Sequence, residues 1–510
     1  MTRESTDVLI VGAGACGSLV ARELSEKGLS VVVLEAGKRF APGDLQNSEA
    51  NGAKILWTEP RVFAGKQGIA PKAGVGVGGG TLAWLGVMPR FHPADFRTRS
   101  AEGVGTDWPI SYDDLRPWYA KVEREFGVAG ECGPHAPEPY GLPMAPHRMN
   151  WHAQVLARGA EKLGAHPFAP PIAINSAEYD GRPACIYCGW CGSGCPTGAK
   201  ATASEVYLAK AERRGARVIP EAFVHRVNYD AAKGRVTGVS YRDADGHEHE
   251  LRARAVVLAA HAIETPRLLL LSANPTFPQG LANSSGAVGR TFMSHPTWQV
   301  FGTFDRPINA YKGMQMGHVM VQDFYRPDPG RGCARGFVLI SYMMTPITYA
   351  NLSGSFYGAE YKEFLHAYAH TAAWWAHAEG LPHEENRVTL DPEVKDARGL
   401  PVARVACEWG ENDVRLAAAA RDKAAEMMAA SGAKKVRIGL NYGAHAMGSC
   451  RMGNDPATSV VDPFGRTHDI PNLYIADTSV FVTGTGLNPT LTAMALAALA
   501  ADRIAVSGGR

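Results

Sequence analysis

The hydrophobic pattern of the first 35 residues predicts a strand, a glycine loop, a helix and a second strand. Residues 7–11 and 29–34 are short runs of mostly aliphatic residues, and a helical pattern extends from the loop to about Lys27. Glu35 directly follows the second run. This order predicts the start of a parallel α/β sheet.

Later hydrophobic runs predict more strands and helices. Buried strands are predicted at residues 255–260 and 472–475. Helices are predicted at residues 265–271, where one begins, and at residues 417–431 and 491–504. Dense Gly and Pro predict loops at residues 75–81 and 133–147. Residues 297–440 show weak alternation and carry no cofactor motif, so we assign them to a substrate domain.

Composition and charge argue against several classes of protein. The chain has 510 residues, which is enough for two or three domain-sized units. Lys+Arg 52 nearly balance Asp+Glu 50, so we expect no nucleic-acid partner. The N-terminal apolar run leads straight into a glycine loop, and we therefore expect a strand and no signal peptide. The other apolar stretches are interrupted by charges or too short, so no transmembrane segment is expected.

Gly12, Gly14 and Gly17 form a dinucleotide-binding fingerprint. The first glycine makes a tight turn, the second lets the backbone approach a pyrophosphate, and the third lets helix and strand pack closely. The helix N-terminus then offers unpaired N–H groups to the phosphates. Glu35 is placed to accept hydrogen bonds from ribose hydroxyls. The fingerprint alone does not separate FAD from NAD.

Two further segments suit a bound flavin. The glycine cluster at residues 74–81 is able to lie flat against a ligand, and the alternative is a flexible loop. Near the C-terminus, Asn488 is a predicted helix N-cap and Pro489 a predicted first helical residue. The positive end of that helix would stabilise the negative charge that a reduced flavin gains.

His445 is a candidate general base. It stands in the segment GAHAMGSCRMG, whose glycines predict a tight, irregular backbone of the kind that often carries catalytic residues. The chain has seventeen histidines, and the alternative interpretation is an ordinary core or surface histidine.

Four of the nine cysteines form a local cluster. Cys185, Cys188, Cys191 and Cys195 follow the spacing C-x2-C-x2-C-x3-C-P of bacterial iron–sulfur proteins. No second cysteine set completes a two-cluster arrangement, and three thiolates from one loop are enough to hold a [3Fe–4S] cluster. Structural zinc, a disulfide and plain thiols remain as alternatives.

Taken together, these motifs resemble those of the glucose–methanol–choline (GMC) oxidoreductases over nearly the whole chain. The resemblance also rests on VVLAAHAIETPRLLLLS from Val256, VGRTFMSHP from Val288 and NPTLT from Asn488. The segments DWPISYDDLRPWYAKVEREFGV and GRPACIYCGWCGSGCPTGA are most similar to the FAD/iron–sulfur catalytic subunits of bacterial sugar dehydrogenases, of the fructose, gluconate, glucose and glucoside-3-dehydrogenase types.

The resemblance implies roles for the matched positions. His445 is similar to the catalytic base of the family, and Asn488 is similar to its partner. Further matched positions imply contacts with the cofactor: Gly78, Gly79, Thr81, Asp477, Thr478 and Pro489. The FAD is expected to be non-covalent, because the positions that directly follow Gly80, residues 81–84, contain no histidine.

The cysteine loop departs from the pattern of these subunits. They usually have two adjacent cysteines where this chain has Cys185 and Ile186, and Cys188 stands here instead. Cys185, Cys191 and Cys195 match the cluster ligands most closely, and the place of Cys188 stays open. Long-chain alcohol oxidases have a similar loop, so a cluster-free interpretation also remains.

The implied fold is α/β, with a Rossmann-like FAD-binding domain interleaved with an α+β substrate domain built on a mostly antiparallel sheet. The expected segments are the FAD-binding domain at residues 1–120 and 205–296, a connecting and substrate-domain segment at 121–184, the Cys-rich cluster loop at 185–204, the substrate domain at 297–440, and a C-terminal FAD-binding segment at 441–510.

The resemblance implies an FAD-dependent dehydrogenase that oxidises an alcohol group of a sugar, glycoside or polyol. Electrons would leave through a [3Fe–4S] cluster to a cytochrome c or quinone-linked acceptor. A small subunit carrying an export signal is implied. The chain is expected to be periplasmic if it is co-exported with this subunit, and cytoplasmic otherwise. The alternative is a cluster-free oxidase or dehydrogenase of a long-chain or sterol-like alcohol. A third hypothesis, an assembly or export partner that merely binds FAD, is disfavoured because His445 and Asn488 are both present.

Overall fold

Three β-sheets organise the chain in the computed structural model, which describes residues 5–45, 48–354 and 356–506. Within these residues the strands are β1 (Ser5–Val11), β2 (Val31–Leu34), β3 (Val62–Ala64), β4 (Arg217–Ile219), β5 (Phe223–Asp230), β6 (Arg235–Arg242), β7 (Glu248–Leu258), β8 (Met293–Thr303), β9 (Met316–Val321), β10 (Phe337–Tyr342), β11 (Thr371–Ala378), β12 (Arg387–Lys395), β13 (Pro401–Ala406), β14 (Lys435–Met447) and β15 (Leu473–Ile475).

The α-helices lie between these strands and at the C-terminal end. They are α1 (Ala15–Glu26), α2 (Glu49–Gly52), α3 (Thr98–Glu102), α4 (Tyr112–Phe126), α5 (Trp151–Lys162), α6 (Ala209–Arg213), α7 (His261–Leu271), α8 (Pro346–Asn351), α9 (Gly358–His366), α10 (Glu411–Ala430) and α11 (Thr490–Val506). Over the part of the chain that the structure describes, no helix combines the length and apolarity needed to cross a bilayer.

The first sheet begins with the predicted strand–helix–strand unit, which the structure confirms as β1, α1 and β2. Strands β4, β2, β1 and β7 are parallel neighbours in that order, and β15 adds a further parallel strand beside the end of β7. The hairpin β5–β6 continues the sheet in antiparallel pairing with the start of β7. Strand β2 is buried throughout, as expected for a parallel sheet covered by helices.

Several predicted boundaries shift in the structure. The helix expected to begin in residues 265–271 starts earlier, at His261, and the helix expected from residue 417 starts at Glu411. The first residues of α10, Glu411 to Asp413, are polar, which hides the start of this helix from a hydrophobic pattern. The strand expected at residues 255–260 ends at Leu258, because the chain turns into α7 there.

The second sheet is antiparallel throughout, in the order β14-β8-β11-β10-β9, which confirms the expected mostly antiparallel sheet. Helix α10 covers one face, where Arg421 lies over Trp298 of β8 and Met428 lies against Gly302. Because side chains alternate along a strand, His295, Thr297 and Gln299 point to the opposite face. A small third sheet, β12-β13-β3, completes the core.

Candidate active site and cofactor cradle

The first glycine loop is shaped by close backbone contacts. A Cβ atom on Gly12, whose φ is +104°, would lie 2.4 Å from the carbonyl oxygen of Ala259, and one on Gly17 would lie 2.0 Å from that of Gly12. Gly14 differs, because the nearest atom to its Cβ position is 3.9 Å away. Protein atoms occupy the space beside Gly12 and Gly17, in agreement with the turn and packing roles predicted for these glycines. The space beside Gly14 is open and fits the approach of a pyrophosphate.

The second glycine loop packs directly on the first. The backbone N–H of Gly78 donates to Ala13 O at 2.9 Å, and a Cβ on Gly79 would lie only 2.5 Å from the Cα of Gly14. Thr81 fixes the end of this loop, since its hydroxyl donates to Gly78 O and accepts from the N–H of Ala203 at 2.9 Å. Two segments far apart in sequence thus form one glycine-lined cradle.

The carboxylate of Glu35 is hydrogen-bonded to both glycine loops. It accepts N–H bonds from Ala13 at 2.9 Å, Gly37 at 3.0 Å and Gly76 at 3.1 Å. Burial raises the pKa of Glu35 although these donors favour the ionised form. Beside it lies a cavity of about 120 Å³ whose walls include Gly14, Glu35, Arg61 and His261. The position of Glu35 at this cavity suits the predicted contact with ribose hydroxyls.

Asp477 and Thr478 join the C-terminal segment to this cradle. The Asp477 carboxylate accepts from the N–H of His261 at 3.0 Å and from the hydroxyl of Thr265 at 2.6 Å, so it holds the first turn of α7. Thr478 donates from its hydroxyl to Ala446 O at 2.8 Å, one residue from His445. These two residues therefore connect the dinucleotide fold to the segment that carries the candidate base.

Three histidines from adjacent strands meet on the open face of the second sheet. The pairing of β14 with β8 shifts register between Ala444 and Ala446, so His445 is an extra residue in a β-bulge. Its φ of 56° lies in the left-handed region, which costs a residue other than glycine about 1–3 kcal/mol. The bulge turns the ring of His445 toward His295, with 2.9 Å between their Nδ1 atoms. The ring of His377 lies 4.3 Å from that of His295 and 5.2 Å from that of His445.

The hydrogen bonds around these rings select one tautomer of His445. Only one proton fits between the two Nδ1 atoms. The amide nitrogen of Asn488 lies 3.4 Å from Nε2 of His445 and can only donate, so Nε2 of His445 is the acceptor and Nδ1 carries the proton. His295 therefore accepts at Nδ1, and His445 donates there and keeps a lone pair at Nε2. Burial lowers the pKa of His445 well below its usual value and that of His295 to about 4, so both rings are neutral near pH 7.

The side chain of Asn488 lies beside Nε2 of His445, but it does not cap helix α11 as predicted. Its amide nitrogen lies 3.4 Å from Nε2 of His445. Its side-chain oxygen accepts no hydrogen bond among the described residues, and α11 begins only at Thr490. The N-cap prediction is therefore wrong, and so is the placement of Pro489 as the first helical residue, since it directly precedes the helix. The amide oxygen of Asn488 stays free beside the candidate base.

The four clustered cysteines line one small cavity. Cys191 is buried, and the other three are partly buried. The sulfur of Cys185 accepts the N–H of Tyr187 at 3.3 Å, and that of Cys195 accepts the N–H of Lys200 at 3.4 Å. Burial raises the pKa of Cys185 to about 12 and that of Cys191 to about 11. All four are free thiols, so the disulfide alternative finds no support in this structure.

Lys200 joins the cysteine loop to the second glycine loop. Its ammonium group is buried and donates to the carbonyl oxygens of Leu82 at 2.8 Å, Trp84 at 3.0 Å, Thr81 at 3.2 Å and Cys191 at 2.8 Å. Burial lowers the pKa of Lys200 to about 8. No sequence motif pointed to this residue, because its partners are main-chain atoms.

No role was predicted from the sequence for His295 or His377. His295 lies in the segment VGRTFMSHP, which contributed to the family resemblance as a motif only. His377 lies in residues 297–440, where no motif was readable. Its Nδ1 donates to Gly486 O at 3.0 Å and its ring stacks on Trp375, with 4.5 Å between ring centres. Only the pairing of β8, β11 and β14 brings these rings together.

Comparison with known proteins adds family evidence to this geometry. Two family models described as GMC oxidoreductase match residues 6–297 and 382–497. The chain is 35% identical to the fructose dehydrogenase large subunit of Gluconobacter japonicus, with 98% of both chains covered. It is 34% identical to the 2-methyl-1,2-propanediol dehydrogenase of Mycolicibacterium austroafricanum, with 98% of this chain and 95% of that protein covered.

A solved structure with a similar fold is pyridoxine 4-oxidase from Mesorbium loti. The TM-score is 0.70 at 19% sequence identity, and the match covers 98% of this chain and 99% of the other. At this identity the comparison supports the fold alone. It agrees with the expected α/β architecture of a dinucleotide-binding sheet and a second, antiparallel sheet.

The contrast between Gly14 and Gly17 gives a test of the cradle. Gly14→Ala should leave the melting temperature of the ligand-free protein nearly unchanged, because the new methyl group meets no atom within about 3.4 Å, but it should weaken dinucleotide binding at least about tenfold. Gly17→Ala should lower the melting temperature itself, since its methyl group collides with main-chain atoms. Equal dinucleotide affinity in Gly14→Ala and the unchanged protein would contradict the assignment.

Proposed function

This chain belongs to the GMC oxidoreductase family and is an FAD-dependent oxidoreductase acting on CH–OH donors, and on that premise we propose that it oxidises an alcohol group of a sugar, glycoside or polyol. The choice of substrate rests on buried polar atoms that have no hydrogen-bond partner among the described residues. They lie on the same face of the second sheet as His445. Such atoms suit a substrate with several hydroxyl groups.

The unpaired polar atoms lie along the open face of the second sheet. Gln299 Oε1 and His377 Nε2 are buried and accept no hydrogen bond from the described residues. Gln299 pairs across the sheet with Trp375, whose ring centre lies 5.9 Å from that of His445. A buried acceptor that stays unpaired costs about 1–3 kcal/mol, which substrate hydroxyls would recover and a hydrocarbon chain would not.

His445 and Asn488 carry the proposed chemistry. His445 takes the hydroxyl proton of the substrate at Nε2, while Asn488 binds the same oxygen through its amide. As the O–H bond breaks, the C–H electron pair leaves as hydride and the alcohol carbon becomes a carbonyl carbon. His295 is a positioning residue, because it accepts the Nδ1 proton of His445 and so keeps Nε2 free to act as base.

FAD, when bound, supplies the acceptor for this hydride. We assign its pyrophosphate to the open side of Gly14 and the N-terminus of α1, and its ribose to Glu35. We propose further cofactor contacts at Gly78, Gly79 and Thr81 of the second loop, and at Asp477, Thr478 and Pro489 before α11. The FAD is proposed to be non-covalent, because Thr81–Leu82–Ala83–Trp84 offer no histidine.

The cysteine loop is proposed to hold an iron–sulfur cluster of the [3Fe–4S] type. Four thiols around one cavity, with main-chain N–H groups directed at the sulfurs of Cys185 and Cys195, suit such a group. Cys185, Cys191 and Cys195 are the proposed ligands. The cluster would pass electrons singly to a cytochrome c or quinone-linked acceptor, and a small subunit would accompany the chain.

A substrate panel tests the proposed substrate class. With an artificial one-electron acceptor, sugars and polyols should be oxidised and long-chain apolar alcohols should not. Gln299→Leu should raise the KM for the best polyol about three- to tenfold, because one substrate hydroxyl loses its partner. The exposed residue Gln279 offers a control, since Gln279→Leu should leave KM unchanged. Preference for a long-chain alcohol in this panel would overturn the proposal.

A pair of variants at His295 tests the tautomer argument. His295→Leu removes the acceptor facing Nδ1 of His445 and should lower kcat at least about tenfold. His295→Asn places an amide oxygen near the same point and should restore most of the activity, while His445→Ala should lose about two to four orders of magnitude. Flavin absorbance and melting temperature serve as controls. Equal loss in the Leu and Asn variants would mean that His295 only fills space.

Iron content and electron paramagnetic resonance test the cluster. The oxidised protein should contain about three iron atoms per chain and give a three-iron signal, as expected for a [3Fe–4S] centre. Cys191→Ser should abolish the signal while the bound flavin remains. Protein that contains no iron and still reduces oxygen rapidly would favour the cluster-free alternative, without affecting the argument for His445.

A further inference from the structure

A second group of metal-binding side chains lies outside the active site and the cysteine loop. It consists of His135, His166 and Asp323, whose ligand atoms all lie within 4.8 Å of one another. Nε2 of His135 is 3.2 Å from Oδ1 of Asp323, and Nδ1 of His166 is 2.7 Å from the same oxygen. Two imidazole rings and one carboxylate thus converge on one point.

The spacing of these atoms is close to that of zinc ligands. With bonds of about 2.0–2.1 Å, neighbouring ligands of a tetrahedral zinc lie about 3.3 Å apart. The distances of 2.7 and 3.2 Å from Asp323 Oδ1 require only a small outward movement to reach this value. Imidazole nitrogen favours Zn²⁺ over Mg²⁺ or Ca²⁺, which prefer oxygen ligands.

The groups are already held together, since Nδ1 of His166 and Oδ1 of Asp323 form a hydrogen bond of 2.7 Å that a bound ion would replace. The other oxygen of Asp323 accepts the main-chain N–H of His166 at 3.0 Å, which fixes the direction of the carboxylate. Nε2 of His135 is buried and forms no aligned hydrogen bond with any described residue, despite its closeness to Asp323. The exposed side of His166 leaves room for water as a fourth ligand.

The three residues lie on different segments of the fold, so a bound metal would connect these segments. His135 lies in residues 127–150, which connect α4 to α5 without a helix or strand. His166 follows α5, and Asp323 follows β9. A metal at this point would add a fixed contact to the α4–α5 connection, which has no helix or strand of its own.

We propose that His135, His166 and Asp323 form a structural Zn²⁺ site, completed by water, that fastens the α4–α5 connection to the end of β9. This site is independent of the proposed substrate and cluster. Zinc should raise the melting temperature of the protein by a few degrees without changing the substrate preference.

The test is equilibrium dialysis of the flavin-loaded protein against buffered free Zn²⁺, with bound zinc measured by atomic emission. His166→Gln and Asp323→Asn should bind one zinc fewer per chain than the unchanged protein, or bind it at least about tenfold more weakly. The exposed histidine of α9 provides a matched control, and His366→Gln should bind zinc normally. Zinc held at any other site cancels in this comparison.

Melting curves recorded without zinc establish that each variant is folded before its zinc binding is compared. The thermal shift caused by zinc should disappear in His166→Gln and Asp323→Asn and persist in His366→Gln. Equal zinc stoichiometry and equal affinity in all four proteins would overturn the proposal, and so would loss of zinc from His366→Gln. Neither result depends on activity, so the proposal can fail while the proposed function stands.

Discussion

The proposed reacting face of this enzyme depends on one extra residue in strand β14. Without the bulge, residue 445 would pair with Ser294 and its side chain would point away from His295. The bulge leaves His445 unpaired between Ala444 and Ala446, and so both 444 and 445 can face the same side of the sheet. The left-handed backbone at His445 is held between the pair Ala444–His295 on one side and the pairs Ala446–Ser294 and Met447–Met293 on the other. The position of the proposed base and its contacts with His295 and Asn488 follow from this local departure from regular pairing.

Sequence reasoning predicted the fold correctly where the pattern is local. The glycine fingerprint, the following helix and the acid after β2 lie within one short stretch, and each has a sequence signature with a physical cause. His295 and His377 could not be found in this way, because their closeness to His445 results from the register of three strands. Asn488 lies 3.4 Å from His445, and the catalytic role that the resemblance implies for it stays a prediction. Its assignment as a helix cap was wrong, since its amide oxygen accepts from no backbone donor among the described residues.

The two glycine loops show why a dinucleotide fold needs more than its fingerprint. A Cβ on Gly79 would lie 2.5 Å from the Cα of Gly14, so position 79 has no room for a side chain. Glu35 bonds to main-chain groups of both loops, and its ionisation is balanced between burial and these donors. The cradle is therefore a joint product of residues 12–17, 35–37 and 74–81, and a change in any of them alters the shape offered to the ligand.

Lys200 sets a limit on how the cysteine loop can be reused in protein engineering. One buried ammonium group binds the carbonyls of Thr81, Leu82 and Trp84 from one loop and that of Cys191 from the other. A graft of the four cysteines alone would lack the buried ammonium group of Lys200. The carbonyl oxygens that accept its hydrogen bonds in this chain would then have no donor. The smallest unit that can be grafted is therefore the cysteine loop through Lys200 together with a recipient glycine loop that presents the same carbonyls.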